Sequence, residues 1–195
     1  MNFLAHIYLS FGDESLLIGN FIGDFVKGKA LEKYPSEVQK GIILHREIDQ
    51  FTDTHPIVHD TKKRLRPKFH HYAPVISDVF YDHFLASLWL NYHTIPLEEF
   101  TISAYNMLLK NRDLIPDKAL HMLSYMKRDN WLYNYQFVEG IDRALTGMSR
   151  RTPYESKMEE ASRSLEKHYG VFKADFTSFF PDLIAHCQQF IKNQA

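Results

Sequence analysis

A single cysteine, Cys187, stands in 195 residues, which excludes an intramolecular disulfide and a zinc site built on thiolates. No apolar run approaches the ~20 residues that a membrane-spanning helix requires. Charge of one sign is not in excess either. Lys and Arg total 23 against 24 Asp and Glu, a formal net charge of −1, and the sequence pI of about 6.8 is not the profile of a nucleic-acid-binding domain. The start, Met1 to His6, has no basic region and interrupts its apolar residues with a histidine, so no signal peptide is expected and the expected compartment is the cytoplasm. Glycine and proline are sparse, 8 of each, and fall mostly at joints. The length suits one domain, 1–195, with a sizeable core.

What is present is helical periodicity almost throughout, with no alternating strand run, repeat or low-complexity tail, so the expected class is an all-α single-domain bundle. Phe3, Leu4, Ile7 and Tyr8 form a first apolar face. A second helix is expected over Glu14 to Val26, and a third from Ser36 as N-cap to Thr54-His55-Pro56, where the residue before proline avoids helical angles. Further helices are expected over Ile57 to Leu65, broken near Pro67, and over Tyr72 to Tyr92. Others run from Pro96 to about Arg112, Pro116 to about Asn130, Phe137 to Met148, Pro153 to Tyr169 and Val171 to Lys192, the last kinked or split at Pro181.

Three of these segments carry chemistry. In Gly41 to Pro56, His45 and Asp49 are four apart and share one helical face, bordered by Ile42, Ile48 and Phe51. An imidazole and a carboxylate there are costly unless something pairs with them, and a divalent metal suits both. In Gly19 to Gly28, Asp24 lies among Phe21, Ile22, Phe25 and Val26, and two glycines permit close helix packing or a ligand's approach. In Ser77 to Ala86, Asp78 and Asp82 share a face and repel without a cation or shared proton, and His83 follows directly. The expected metal set is therefore Asp24, His45, Asp49 and Asp82, with Asp78 and His83 in it or just outside. Its mixed oxygen and nitrogen donors suit Mn²⁺, Mg²⁺ or Fe²⁺. His6 and His83, able to titrate near neutrality, are candidates to protonate a leaving oxygen, and Asp49 is the most telling catalytic position. Trp89, Trp131 and Tyr133 are expected in the core.

Five of the seven residues from Lys62 to Lys68 are basic. Lys62, Lys63, Arg64 and Arg66 are expected to form either a docking patch for a polyanion or an acidic protein or a solvated face between helices, with Arg150 and Arg151 as further forks for a phosphate.

The sequence resembles the acyl carrier protein phosphodiesterase family. The resemblance rests on Met1-Asn2-Phe3-Leu4-Ala5-His6, on Gly19 to Val26, on His45 to Asp49 with Thr52-Asp53, and on Asp78 to Leu85. It also takes in Gly147 to Arg151 and His168-Tyr169, so it covers nearly the whole chain. It implies a helical fold distantly similar to HD-type phosphohydrolases. It also implies a Mn²⁺-preferring enzyme that removes the 4′-phosphopantetheine arm from holo acyl carrier protein, a small acidic partner. A nucleotide or cyclic-nucleotide phosphohydrolase of HD type is the competing enzymatic expectation, and a helical adaptor that grips an acidic partner is the non-enzymatic one.

Overall fold

The computed structural model describes residues 1–194. Among them lie eleven α-helices and no strand, so the all-α class holds. The helices are α1 (Phe3–Tyr8), α2 (Glu14–Ile22), α3 (Ser36–Thr54), α4 (Pro56–Phe69), α5 (Ala73–Ser87), α6 (Leu97–Lys110), α7 (Asp117–Arg128), α8 (Trp131–Asn134), α9 (Val138–Ser149), α10 (Ala161–Lys167) and α11 (Tyr169–Asn193). No described helix is long and apolar enough to cross a membrane.

The core is aromatic where α5 meets α11. Phe80 packs edge-on to Phe172, Tyr81 meets Phe176 and Phe179, and Phe84 stacks on Phe176. Such pairs add about 0.5–1.5 kcal/mol each beyond their buried area. At α2 and α3 the constraint is the lack of side chains. A Cβ on Gly19 would stand 2.2 Å from the Val38 carbonyl oxygen, and one on Gly41 would stand 2.5 Å from the Leu16 carbonyl oxygen. The two backbones therefore touch through glycine.

Helix α1 has six residues, too few to be stable alone. Its free N-terminal amides are met from α5. Both Asp82 oxygens are used, Oδ2 accepting from Leu4 N (2.7 Å) and Oδ1 from Asn2 N (3.2 Å) and Ala5 N (3.3 Å). Asp82 is thus the remote N-terminal cap of α1, and the structure does not turn it toward the candidate metal ligands.

Several expected boundaries move. The second helix stops at Ile22 and tightens into a 3₁₀ turn over Gly23–Phe25, which carries Asp24. Pro35, not Ser36, occupies the N-cap position of α3. Neither Pro67 nor Pro181 ends its helix. Both prolines are exposed, so water can satisfy the carbonyl each leaves without a partner. Only 161–167 of the expected Pro153 to Tyr169 helix is α-helical, after a 3₁₀ turn at Met158–Glu160. The short α8 was absent from the periodicity because four residues carry none. Replacing Gly41 by Ala should force α2 from α3 and lower stability by about 1–3 kcal/mol, read as a reduced urea midpoint at unchanged slope.

Candidate functional site

Two imidazoles lie face to face at the junction of α1, α2 and α3. The rings of His6 and His45 stack with centroids 4.1 Å apart. Asn20 of α2 sets both. Its main-chain carbonyl lies 2.8 Å from His45 Nδ1 and its side-chain Oδ1 2.8 Å from His6 Nδ1. A carbonyl only accepts, so each Nδ1 carries a proton, and each Nε2 is left to face Asp49 with a lone pair where its ring is neutral and with a proton where it is charged. The Asn20 amide nitrogen donates to the His6 carbonyl (2.7 Å) and the Ser10 hydroxyl (3.2 Å), which fixes its orientation. Gly23 completes the cradle, since a Cβ there would lie 2.3 Å from the His45 ring.

Both Nε2 atoms converge on Asp49, His6 at 3.2 Å from Oδ1 and His45 at 3.2 Å from Oδ2. Asp24 stands 3.4 Å from His45 Nε2. His45 Nε2 is buried without a hydrogen-bond partner. His6, His45 and Asp49 each offer a ligand atom within 4.8 Å of the others. A lone pair aimed at a carboxylate is repulsive unless a proton or cation lies between them, and these three residues are of the types that can hold either. The cluster lines an open cleft of ≈ 320 Å³ that also takes in Asn2, Asp53 and Asp78. The Met1 α-amino group lies 3.3 Å from Asp78 and 3.7 Å from Asp49.

These contacts displace the acids and bases from their ordinary ranges. Burial pulls His6 down to about 4, helped by the charge of His45. Burial opposes charge on His45 too, but Asp24 and Asp49 outweigh it and lift the ring to about 9. Burial pushes Asp49 up, yet the two imidazoles hold it well below the usual carboxylate range. Burial raises Asp78 and pushes the capping Asp82 up to about 7 against its backbone donors.

The structure therefore brings together Asp24, His45, Asp49 and His6, with Asp78 on the same cleft. It places Asp82 and His83 elsewhere. His83 Nδ1 donates to the Tyr135 carbonyl (2.8 Å) and its Nε2 accepts from the Tyr169 hydroxyl (2.9 Å), so neither nitrogen is available to the cleft. The basic run is split around α4. Lys62 is buried with its ammonium 2.6 Å from Asp53, Arg64 pairs with Asp175 and Lys68 pairs with Glu160. Lys63 and Arg66 remain exposed without an ion-pair partner among the described residues. Arg151 lines a separate cavity beside Trp131, which is half-buried rather than core, while Arg150 is exposed. Asn20 was missed from the sequence, although the Gly19-Asn20 pair marked its position.

A helical scaffold that converges histidine and carboxylate donors on an open cleft defines a hydrolase-type site. The family model of acyl carrier protein phosphodiesterase matches residues 1–183, and the chain belongs to that family of phosphoric diester hydrolases. Its curated relatives include the acyl carrier protein phosphodiesterases of Enterobacter sp. (strain 638) and Klebsiella pneumoniae (strain 342). The first is 33% identical over 189 residues, covering 96% of this chain and 98% of that protein. The second is 34% identical over 185 residues, covering 94% and 96%. The protein of the same description from Escherichia coli (strain K12 / DH10B) is 33% identical over 190 residues, covering 97% and 98%. No solved structure matches the chain, and the expected likeness to HD-type phosphohydrolases is not shown.

Proposed function

We propose that this chain is a metal-dependent phosphodiesterase that cuts the 4′-phosphopantetheine arm from holo acyl carrier protein. The observation that supports the metal reading is the pair of Nε2 atoms, each oriented by Asn20 and both within 3.2 Å of Asp49. His6, His45, Asp49 and Asp24 would hold the ion, Mn²⁺ as the family resemblance implies, with Mg²⁺ or Fe²⁺ equally compatible with these donors. The bound ion would supply Lewis acidity toward a phosphoryl oxygen and toward water. In the reaction, water oxygen joins phosphorus, the bond from phosphorus to the serine oxygen breaks, and that oxygen leaves with a proton. Asp78, whose burial favours the protonated carboxyl, lines the same cleft as Asp24 and is a better donor candidate than His83, whose ring nitrogens are engaged elsewhere. Cytoplasmic residence follows from that substrate.

Mass spectrometry of holo carrier protein incubated with enzyme and Mn²⁺ should show loss of the whole arm. Asn20→Ala should cost roughly 10–100-fold in rate, as loss of an outer partner of a metal ligand does, and Asp49→Asn more. Unchanged carrier mass beside turnover of nucleotides would instead support an HD-type nucleotide phosphohydrolase, and unchanged behaviour of Asp49→Asn in every assay would support an adaptor.

Metal binding should also be coupled to protons. His45 is protonated below about 9, and an ion at Nε2 must displace that proton. Affinity should therefore rise with pH up to about that value and level off above it. Calorimetry at pH 7.5 in buffers of different ionisation enthalpy should report release of about one proton per ion; no release would place the ion away from His45.

The acidic partner would meet the exposed Lys63 and Arg66, and beside them the α4–α10 groove lined by Arg64, Lys68, Arg163, Lys167 and His168. Lys63→Ala with Arg66→Ala should raise KM for carrier protein at low salt and flatten its salt dependence, with kcat kept. Unaltered KM at low salt would rule these two residues out of docking.

A further inference from the structure

One cavity beside the cleft has no part in the proposed reaction. The chain turns at Asn130, where φ is +43°, into the four residues of α8. Gly140 lets α9 close on the end of that helix, since a Cβ there would stand 1.9 Å from the Asn134 carbonyl oxygen. Between α8 and α9 remains a cavity of ≈ 350 Å³, walled by Trp131, Tyr135, Gly147 and Met148, with Arg143 and Arg151 beside them. This volume is within the range of small-ligand sites, about 300–1,000 Å³. Neither arginine has a carboxylate within ion-pairing distance among the described residues, and Asp129, which also lines the cavity, is taken by Arg128 at 2.7 Å.

The cavity and the histidine cleft share a wall. The Asn2 amide nitrogen donates to the Tyr135 hydroxyl (3.3 Å); Asn2 lines the cleft and Tyr135 lines the cavity. Tyr135 is itself held in place by His83 through its main-chain carbonyl. This shared wall sets the cavity beside the place where a phosphodiester substrate with a long flexible arm would extend that arm. Free guanidinium forks suit carbonyl oxygens along such an arm, and the aromatic and thioether walls suit its aliphatic stretches and terminal sulfur.

We propose that the α8–α9 cavity is the subsite for the thiol-bearing, pantetheine end of the arm, with Arg143 and Arg151 as its specificity residues. The proposal rests on the function above, and its test separates the two. Gly147 is the lever. A Cβ there meets nothing within 4 Å and Gly147 lines the cavity, so Gly147→Leu adds bulk to the cavity wall, and it raises helix propensity by about 0.8–1 kcal/mol. Trp131 is the reporter, because Trp89 is buried in the core.

Pantetheine, which lacks the phosphate, should change Trp131 emission saturably in the metal-free wild-type protein. Gly147→Leu should abolish that change while its unfolding midpoint stays at or above wild type. With holo carrier protein, Gly147→Leu and Arg143→Ala with Arg151→Ala should each raise KM about tenfold. A wild-type protein that cleaves holo carrier protein but shows no emission change, or a Gly147→Leu enzyme with wild-type KM, overturns the subsite and leaves the phosphodiesterase reading intact. A wild-type protein that shows the emission change but leaves holo carrier protein whole overturns the function and supports the cavity as a pantetheine site.

Discussion

Asn20 is the side chain on which the site depends. One residue supplies a carbonyl to each of two histidines, one from its main chain and one from its amide, and so fixes tautomer and ring plane together. That arrangement needs α2 to lie against α3 at backbone distance, which only Gly19 and Gly41 permit. It also needs Gly23 to leave room for the His45 ring. Glycines that cost backbone entropy in two helices are thereby offset by a rigid pair of imidazoles. The chemistry of the cleft is in this sense a consequence of how closely two helices can pack.

The electrostatics follow from the same geometry. With both Nδ1 protons committed to Asn20, the Nε2 atoms and Asp49 must share whatever cation is available. His45, beside two carboxylates, holds a proton well; His6, stacked on a charged ring and wholly buried, does not. The two rings are thus unequal in the absence of an ion, although each has a similar distance to Asp49. A divalent ion, as proposed, would remove the inequality by replacing a single proton with a charge that both rings and Asp49 can share.

Much of this was legible from spacing alone. The His45–Asp49 interval on one helical face and the all-α class reappear, while Asp24 reaches His45 from an exposed position, its side chain 71% accessible, rather than from among its apolar neighbours. What spacing could not distinguish was a carboxylate aimed at a ligand from one aimed at a helix end. Asp78 and Asp82 are one turn apart on α5, yet Asp78 reaches the cleft and Asp82 caps α1, because the N-terminus of α1 sits over only the second. His6 was undervalued for a related reason. A histidine on a short apolar helix usually satisfies itself within the core, and its role here depends on Asn20, fourteen residues away, which no local pattern joins to it. The basic run failed as a uniform patch because a helix distributes consecutive residues around its axis, so Lys62 went inward to Asp53 while Lys63 stayed in water.

Helix α5 shows why an Asp-His doublet can matter greatly without touching a substrate. Along one stretch, Asp78 enters the cleft, Asp82 holds the helix that carries His6, and His83 holds the residue that divides the cleft from the α8–α9 cavity. Removing Asp82 would expose three buried amides and unseat α1, so the loss of His6 from the cluster would follow from loss of a cap. Removing His83 would free Tyr135 and, with it, the wall shared with Asn2. Either change would be expected to depress activity, and activity alone would therefore mistake both for ligands. Their roles separate in the metal: His6, His45 and Asp49 can contribute donor atoms directly, whereas all the polar atoms of Asp82 and His83 already have partners inside the fold.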